Sequence, residues 1–442
     1  MKIQLPEFSL VVFIDVSASV MLDIAAKHFL SSEILSFEIP KLPEGDSEHS
    51  QAHSKHAWQE LLNVVRNRLK EGLLTVVNSP HRQSDHRKSL LSLAHQYHCP
   101  CTAIVIDTPQ SIHQEPTAIG FGQSDDESTF RPHQSRLSCL ESEGFRRIYT
   151  LPFTEEMNTL TIERQPLPNN KKLEHGPFDI IGDIHGCFDE LLDLLLKLGY
   201  HVSLNNHQYI LHHPDHRKII FLGDLVDRGP KSPEVVRFVM DITQSGQGYC
   251  VAGNHDVKLV KALRGRDITL SHGLKESMEQ FSLETSAFRD QTANFLEQLV
   301  SHYVLNEGKL VVAHAGLKEE MHGRDSNKVR YFSMYGETTG KTDAFGLPIR
   351  YNWAEAYKGE ALVVYGHTPL QQAEWLNNTL CLDTGCVFGG ALTALRYPEK
   401  EVVFVRARQQ YFALVRPLGQ LSDLLSPHDK LEKSLQHRYV VQ

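Results

Sequence analysis

The sequence lacks long apolar runs, cysteine pairs at metal-knuckle spacing and an excess of basic residues. A membrane-spanning helix needs roughly 18 or more consecutive apolar residues, and the apolar runs in this chain are shorter. The apolar stretch near the N-terminus follows Glu7 and is interrupted by Asp15, which is atypical of a secretion signal. These absences predict a cytoplasmic protein that does not contact a membrane.

The seven cysteines are odd in number and dispersed, with only Cys99 and Cys101 close together. This pattern predicts reduced thiols in a reducing compartment and lacks the paired spacing of a zinc knuckle. The formal net charge of -9 over 442 residues argues against a broad basic surface, although a local basic pocket or bound cations can still hold a phosphate backbone. The length predicts two or three domains of ~150 residues.

The first 150 residues alternate apolar runs with polar helical patterns. Strand-like runs cover 10–16, 73–79 and 102–109, and apolar residues at helical spacing cover 56–72. Strands that alternate with helices predict a parallel α/β sheet. The polar residues of 41–55 and 110–138 favour loops or partly disordered excursions.

From residue 178 a second series of short strands begins, and a glycine-containing polar cluster follows nearly every strand. The clusters read GDIHG, GDLVDRGP, GNHD, HAGL and GHTPL. Loops at strand ends gather at one edge of a sheet, so side chains distant in sequence are expected to converge there. The converging candidates are Asp183, His185, Asp224, Asn254, His314 and His367.

Carboxylate, imidazole and amide oxygen together suit divalent transition metals. Six such ligands are more than one metal takes if it keeps open positions, so they predict two metals that share a carboxylate. Two metals ~3.5–4 Å apart activate a bridging water and stabilise in-line displacement at a phosphate ester. We expect manganese, with nickel, iron or zinc as alternatives.

Three further side chains in these clusters are predicted to act on the substrate. Arg228 has the donor geometry to grip two phosphate oxygens. His255, beside Asn254, can protonate the leaving alkoxide. Asp227 can hydrogen-bond His255 and fix its tautomer.

The ordered set GDIHG, GDLVDRG, GNHD, HAG and GHT resembles the signature of the calcineurin-like metallophosphoesterase superfamily over about 178–405. The resemblance implies a β-sandwich flanked by helices and a dinuclear site. It implies Asp183, His185 and Asp224 on one metal. It implies Asp224, Asn254, His314 and His367 on the other.

Two further stretches, 329–357 and 382–399, resemble the phosphatase module of bacterial polynucleotide kinase–phosphatases. That resemblance implies removal of 3′-phosphate or 2′,3′-cyclic phosphate from RNA ends, an RNA-repair protein as a partner, and Asp383 near the substrate. The alternatives are a phosphoprotein phosphatase or a dinucleoside-polyphosphate hydrolase. An RNA-binding or regulatory pseudoenzyme is an alternative of another class.

The same family places a P-loop kinase domain before the phosphatase. In such a loop, backbone amides and a lysine hold ATP phosphates and a Ser/Thr binds magnesium. The corresponding segment here has Asp15 and Val20 for glycines, Met21 for lysine and Leu22 for Ser/Thr, and Glu38 replaces the expected catalytic Asp. We therefore predict a module that does not use ATP. It is either a pseudokinase that positions substrate or docks a partner, or a structural remnant of a kinase.

These patterns divide the chain into four segments. We predict a kinase-like domain over 1–163, a Pro- and Asn-containing linker over 164–177, a phosphoesterase domain over 178–405 and a helical tail over 406–442.

Overall fold

The computed structural model of the protein describes residues 2–14, 18–36, 47–78, 84–107, 133–145, 147–152 and 159–426. The chain forms two compact units. The first comprises Met1–Leu167 with Arg324–Ser326, and the second comprises Pro168–Gly323 with Asn327–Gln442.

The first unit alternates strands and helices. Its elements are β1 (Lys2–Pro6), β2 (Leu10–Ile14), α1 (Ala18–His28), β3 (Ile34–Ser36), α2 (Ser47–Lys70), β4 (Thr75–Asn78), α3 (Ser84–Gln96), β5 (Cys101–Asp107), α4 (His133–Glu143), β6 (Arg147–Pro152) and β7 (Thr161–Gln165). Five strands form a parallel sheet in the order β3-β4-β2-β5-β6, and β1 pairs with β7 in a separate parallel ribbon.

Strand β2 lies at the centre of this sheet and is buried on both faces. Leu10, Val12 and Ile14 pack into one hydrophobic cluster with side chains of α2 and α3. Val11 and Phe13 point the other way, into a cluster that includes residues of α1. An all-apolar strand covered by helices on both faces is typical of a parallel sheet, and the predicted N-terminal α/β class is confirmed.

Of the sequence expectations in this unit, the polar loops differ in part from the structure, and the loss of kinase chemistry stays untested. Residues 110–132 lie outside the described residues, and 133–138 fall within α4. Helix α2 begins at Ser47, so most of the predicted polar loop 41–55 is helical. Of the predicted degenerate P-loop, Asp15 lies outside the described residues, whereas Val20, Met21 and Leu22 fall within α1. Glu38 also lies outside the described residues, and the predicted loss of kinase chemistry stays a prediction.

The second unit is larger. It begins with β8 (Asn170–Lys171), β9 (Phe178–Ile181), α5 (Phe188–Leu198), β10 (His201–Asn205), β11 (Gln208–His212), β12 (Lys218–Phe221), α6 (Ser232–Gln244), β13 (Gly248–Cys250), α7 (Asn254–Leu263), α8 (Leu274–Ser282), α9 (Ser286–Gln298), β14 (His302–Leu305) and β15 (Leu310–Ala313). It continues with α10 (Asn327–Tyr335), β16 (Thr338–Thr342), β17 (Pro348–Arg350), β18 (Leu362–Tyr365), β19 (Glu374–Leu376), β20 (Thr379–Cys381), β21 (Ala391–Tyr397) and β22 (Glu401–Arg406).

Two mixed sheets form a sandwich in this unit. One has the order β13-β12-β9-β21-β22 and the other β19-β20-β18-β15-β14-β8. The two-residue period of the strands divides their side chains between faces. In β9 and β12, Ile180 and Ile220 enter the cluster between the sheets, whereas Ile181 and Phe221 enter the cluster shared with the helices. The predicted sandwich flanked by helices is confirmed.

The segments at both ends of this unit differ in structure from the sequence expectation. The end of β7 and all of β8 fall within the predicted linker 164–177. Residues 407–426 are irregular apart from a short 3-10 turn at Leu421–Asp423, so this part of the predicted helical tail is not an α-helix. Residues 427–442 lie outside the described residues.

Across the described residues, no helix combines the length and the apolar character that crossing a bilayer demands.

Candidate dinuclear metal centre

Five strands of the sandwich end in the polar clusters that the sequence predicts. Asp183 follows β9, Asp224 follows β12, Asn254 follows β13, His314 follows β15 and His367 follows β18. Strands β9, β12 and β13 are mutually parallel, as are β15 and β18. The carboxyl ends of each set therefore meet at one edge of their sheet.

Hydrogen bonds join the two edges into one site. His314 Nδ1 donates to the carbonyl oxygen of Leu222 at 2.9 Å, which links the second sheet to the loop before Asp224. The Gly366 amide donates to the carbonyl oxygen of His314 at 2.8 Å. Gly366 also lies so close to Asp183 that an added Cβ would clash with its carboxylate.

The backbone of these loops is strained at the predicted site residues. Positive φ angles occur at His185, Asp224, Asp227, Arg228 and His367, between 46° and 74°. Non-glycine residues in this region cost about 1–3 kcal/mol each and persist where the surrounding structure enforces them, often at functional sites. The surrounding structure therefore holds the backbone in this conformation at five of the predicted site residues.

Asp224 lies between the two halves of the site. One of its oxygens, Oδ2, lies 3.7 Å from His185 Nε2 and 3.4 Å from His314 Nε2. Its other oxygen, Oδ1, accepts a hydrogen bond from the His255 amide at 2.9 Å. Asp224 is thus placed as a carboxylate that two neighbouring cations can share.

The remaining predicted ligands gather on the His314 side. His314 Nε2 lies 3.1 Å from Asn254 Oδ1 and 2.9 Å from His367 Nδ1. Asp183 accepts the His367 amide at both carboxylate oxygens, at 3.1 and 3.2 Å. The structure therefore brings all six predicted ligands together around Asp224.

Two histidines of the centre have their tautomers set by backbone carbonyls. His185 Nδ1 donates to the Val226 carbonyl at 2.7 Å, as His314 Nδ1 does to Leu222. In the neutral form of each ring, Nε2 then carries a lone pair that faces the site, the arrangement in which histidine binds metal. The donor set of carboxylates, imidazoles and an amide fits a pair of divalent cations.

The electrostatics also favour cations. Burial and the neighbouring Asp383 raise the pKa of Asp183 well above its usual range. Burial alone would lower the pKa of His314, yet the carboxylates of Asp224 and Asp183 raise it to about 10. Divalent ions in the centre would offset this concentrated negative charge.

The three predicted substrate-binding residues lie beside the centre. Arg228 donates through Nη1 to His185 Nε2 at 2.7 Å and through Nη2 to His255 Nε2 at 3.0 Å. His255 Nδ1 lies 2.6 Å from Asp227 Oδ2. Burial raises the pKa of Asp227 to about 6 and lowers that of His255.

Asp383 is also buried at the site. Its Oδ1 accepts the Gly385 amide at 3.0 Å, and burial raises its pKa to about 6. Its charge raises the pKa of Asp183, so the two carboxylates act on each other.

Sequence reasoning missed Asp256, which holds the Asp224 loop. Its carboxylate accepts backbone hydrogen bonds from Asp224, Leu225 and Gly253 at 2.9, 2.9 and 3.0 Å. The signal was available, since Asp256 is the last residue of the GNHD cluster and an acid in the first turn of a helix often caps it.

Sequence reasoning also missed Arg350, at the end of β17. Burial lowers its pKa to about 10, while Asp224 and Asp383 act on it in the opposite direction. Burial lowers the pKa of His367, and the positive charge of Arg350 lowers it further. Its Nε is buried and has no hydrogen-bond partner among the described residues, as expected of a cation that awaits an anionic ligand.

Two families match the chain. A family described as calcineurin-like phosphoesterase matches residues 176–404. A family described as AAA domain matches residues 19–129.

Curated proteins from two bacteria are similar to part of the chain. The asymmetrical bis(5′-nucleosyl)-tetraphosphatase PrpE of Anoxybacillus flavithermus is 45% identical over 240 residues, which are 53% of this chain and 96% of that protein. The protein of the same name from Geobacillus sp. is 44% identical and covers 53% of this chain and 95% of its own length. A solved structure titled as a putative diadenosine tetraphosphatase is 27% identical, covers 54% of this chain and 98% of its own, and has a TM-score of 0.39.

Proposed function

Because the chain belongs to the calcineurin-like phosphoesterase family through residues 176–404, we propose that it hydrolyses dinucleoside polyphosphates asymmetrically. Family membership and the hydrolase names of its relatives make the chain a metallophosphoesterase. The observation that carries the narrower proposal is the 45% identity to an asymmetrical bis(5′-nucleosyl)-tetraphosphatase, along 96% of that protein. Asymmetric cleavage of four phosphates gives a nucleoside triphosphate and a nucleoside monophosphate.

Two divalent ions, which we propose to be manganese, would be held by Asp183, His185, Asp224, Asn254, His314 and His367. When bound, they supply Lewis-acid stabilisation of phosphoryl oxygens and an activated water. The residues of the chain bind the substrate, orient it and move its protons.

Arg228 is placed to orient the phosphate under attack. Its guanidinium spans the gap between His185 and His255 through two different nitrogens. The phosphate oxygens of a bound substrate would accept from those same nitrogens, as guanidinium groups bind phosphate bidentately. The ring of Phe388 lies 5.1 Å from the Arg228 guanidinium carbon and helps to fix its position.

Arg350 adds a second, half-buried cation. A polyphosphate chain carries a negative charge on each phosphate, so a substrate with several phosphates benefits from cations on more than one side of the reacting group. The Nε of Arg350, which has no hydrogen-bond partner among the described residues, supplies such a donor.

His255 is placed to handle the proton of the leaving group. Its Nδ1 is held by Asp227, so Nε2 faces the substrate. An ionised Asp227 stabilises a protonated His255, which can then donate to the leaving oxygen. In this arrangement Asp227 is a positioning residue that acts through His255.

The test is product analysis on diadenosine tetraphosphate with the full chain and manganese. We expect AMP and ATP in equal amounts, and no ADP. Asp224→Asn, which removes the shared carboxylate charge, should abolish formation of AMP and ATP. Asp290→Asn, at an exposed position, should leave it unchanged. Symmetric cleavage, which gives two molecules of ADP, would reject the proposal. So would a protein that hydrolyses other phosphate esters but does not cleave diadenosine tetraphosphate.

A second candidate is removal of phosphate from RNA 3′ ends, and the first unit favours it. That unit has a five-stranded parallel sheet with β2 at its centre and matches an AAA family over 19–129. A first unit of this kind before a phosphoesterase is the two-module organisation of the kinase–phosphatases that the sequence resembles. An oligoribonucleotide with a 3′-phosphate or 2′,3′-cyclic phosphate, assayed beside diadenosine tetraphosphate and a phosphopeptide, ranks the candidates by kcat/KM.

We also infer that the first unit does not phosphorylate RNA. Leu22 is 40% exposed on α1, at the position where a Ser or Thr would bind magnesium. Transfer of labelled phosphate from ATP to a 5′-hydroxyl oligonucleotide is the test, and any transfer above that of a denatured control would refute this inference.

A further inference from the structure

A second cluster of metal-binding side chains lies in the second unit, beside the catalytic loops. Cys187, Glu190 and Cys386 each offer one donor atom, and these atoms all lie within 4.8 Å of one another. The two cysteines are 0% and 2% exposed, and Glu190 is 1% exposed. None of the three belongs to the ligand set of the dinuclear centre.

Two of the three donors come from one helix turn. Cys187 is the N-cap residue of α5 and Glu190 lies three positions later in its first turn. Residues three apart on a helix lie on the same side, so this Cys-x-x-Glu pair can chelate one ion. The third donor, Cys386, begins the 3-10 turn Cys386–Phe388.

The carboxylate distinguishes this cluster from ordinary packing. Two buried cysteines alone are common in a hydrophobic core, but a buried carboxylate requires partners. Glu190 Oε1 accepts from the Arg408 amide at 3.0 Å and from the Tyr411 hydroxyl at 2.8 Å. Glu190 Oε2 is buried and has no hydrogen-bond partner among the described residues.

We propose that Cys187, Glu190 and Cys386 bind a structural zinc ion, separate from the catalytic pair. Thiolates select zinc over manganese, which prefers oxygen and nitrogen donors. Zinc in structural sites takes four donors. The two thiolates and Glu190 Oε2, which has no hydrogen-bond partner among the described residues, would supply three of them, and a water would supply the fourth. The contacts of Arg408 and Tyr411 then orient the carboxylate, as outer hydrogen bonds do in metal sites.

The ion would tie together two loops of the catalytic site. Cys187 follows His185 by two residues, and Cys386 follows Asp383 by three. The loop after β9 and the loop after β20 would be fixed to each other through zinc. Because the site is fully buried, the ion must enter as the protein folds.

The test uses cobalt as a spectroscopic probe in the full-length protein. Protein expressed in cobalt-supplemented, zinc-depleted medium should show a thiolate-to-cobalt charge-transfer band. The catalytic centre cannot give this band because its six ligands contain no sulfur. Cys386→Ala and Glu190→Gln should lose or shift the band, whereas Cys250→Ala, a buried cysteine outside the cluster, should keep it.

Metal content gives a second measurement. Protein from ordinary medium, dialysed against a chelator, should retain about one zinc ion per chain more than Cys386→Ala does. The wild-type cobalt spectrum keeps the test valid if the variants fail to fold. The proposal is overturned by wild-type protein without the band, by equal zinc contents in wild type and folded Cys386→Ala, or by a Cys187–Cys386 disulfide in peptide maps.

Discussion

At the scale of single residues, Asp256 shows how one buried side chain sets the geometry of the metal centre. It accepts three backbone hydrogen bonds around Asp224, whose own backbone has a φ of 48°. Groups that orient a metal ligand commonly change metal affinity by about 10–100-fold when they are replaced.

We therefore predict that Asp256→Asn weakens manganese binding by about 10–100-fold. Both carboxylate oxygens of Asp256 accept backbone N–H groups, and in the variant an NH₂ group, which cannot accept them, would replace one of these oxygens. The measurement is activity as a function of manganese concentration, with Asp290→Asn on the exposed face of α9 as the control. An unchanged manganese dependence would show that the backbone alone holds Asp224.

A second single residue, His302, links stability to pH. It is 0% exposed, its Nε2 accepts the Gly323 amide at 3.0 Å and its Nδ1 lies 2.9 Å from Ser301 Oγ. These contacts hold the neutral ring. Burial, with a contribution from His322, lowers its pKa from 6.5 to about 3.

Between those two pKa values the unfolded chain binds the proton and the folded chain does not, so stability falls as pH drops below about 6.5. We predict that His302→Gln reduces the loss of unfolding free energy between pH 7.5 and 5.5 by about 1 kcal/mol. Urea unfolding at both pH values measures it, with exposed His201→Gln as the control. Equal pH dependence in His302→Gln and wild type would contradict the assignment.

At the scale of elements, the β16–β17 hairpin supplies the site with a residue that no strand-end cluster contains. The hairpin spans Thr338 to Arg350, and Arg350 is the residue through which it acts on Asp224 and Asp383. We predict that Arg350→Gln raises KM for a polyphosphate substrate by about 10–100-fold, the loss of one hydrogen bond to a charged group.

The matched control for this hairpin is Lys341→Gln, which removes an exposed positive charge from the same element. If both variants raise KM equally, the hairpin acts on the substrate through its overall positive charge and not through a hydrogen bond from Arg350. If only kcat falls in Arg350→Gln, the residue serves the transition state and not substrate binding.

These elements also show what the sequence could predict. The positions of Asp183, Asp224 and His314 were predictable because each follows an apolar strand, and strand order gathers such ends. Arg350 was not, because its role depends on how the hairpin folds over the site and its neighbours in sequence show no pattern. The Cys-x-x-Glu pair of α5 was missed for a similar reason, since its third donor, Cys386, is distant in sequence.

At the scale of the whole molecule, each unit has its own hydrophobic cores. The first unit contains the clusters on the two faces of its parallel sheet. The second contains the core between its sheets and the cores under its helices. All six predicted metal ligands belong to the second unit, so metal binding should stabilise that unit selectively.

We predict that removing divalent ions raises amide hydrogen exchange in the second unit and leaves the first unchanged. An ion present at 100 times its dissociation constant stabilises the state that binds it by about 2.7 kcal/mol. Peptides from β12, β15 and β18 should therefore lose protection in chelator, while peptides from β2, β4 and β5 should not. Asp224→Asn should show the weaker protection with or without chelator, because its site no longer binds the ions tightly. Loss of protection in β2 on chelation would show instead that the two units unfold as one.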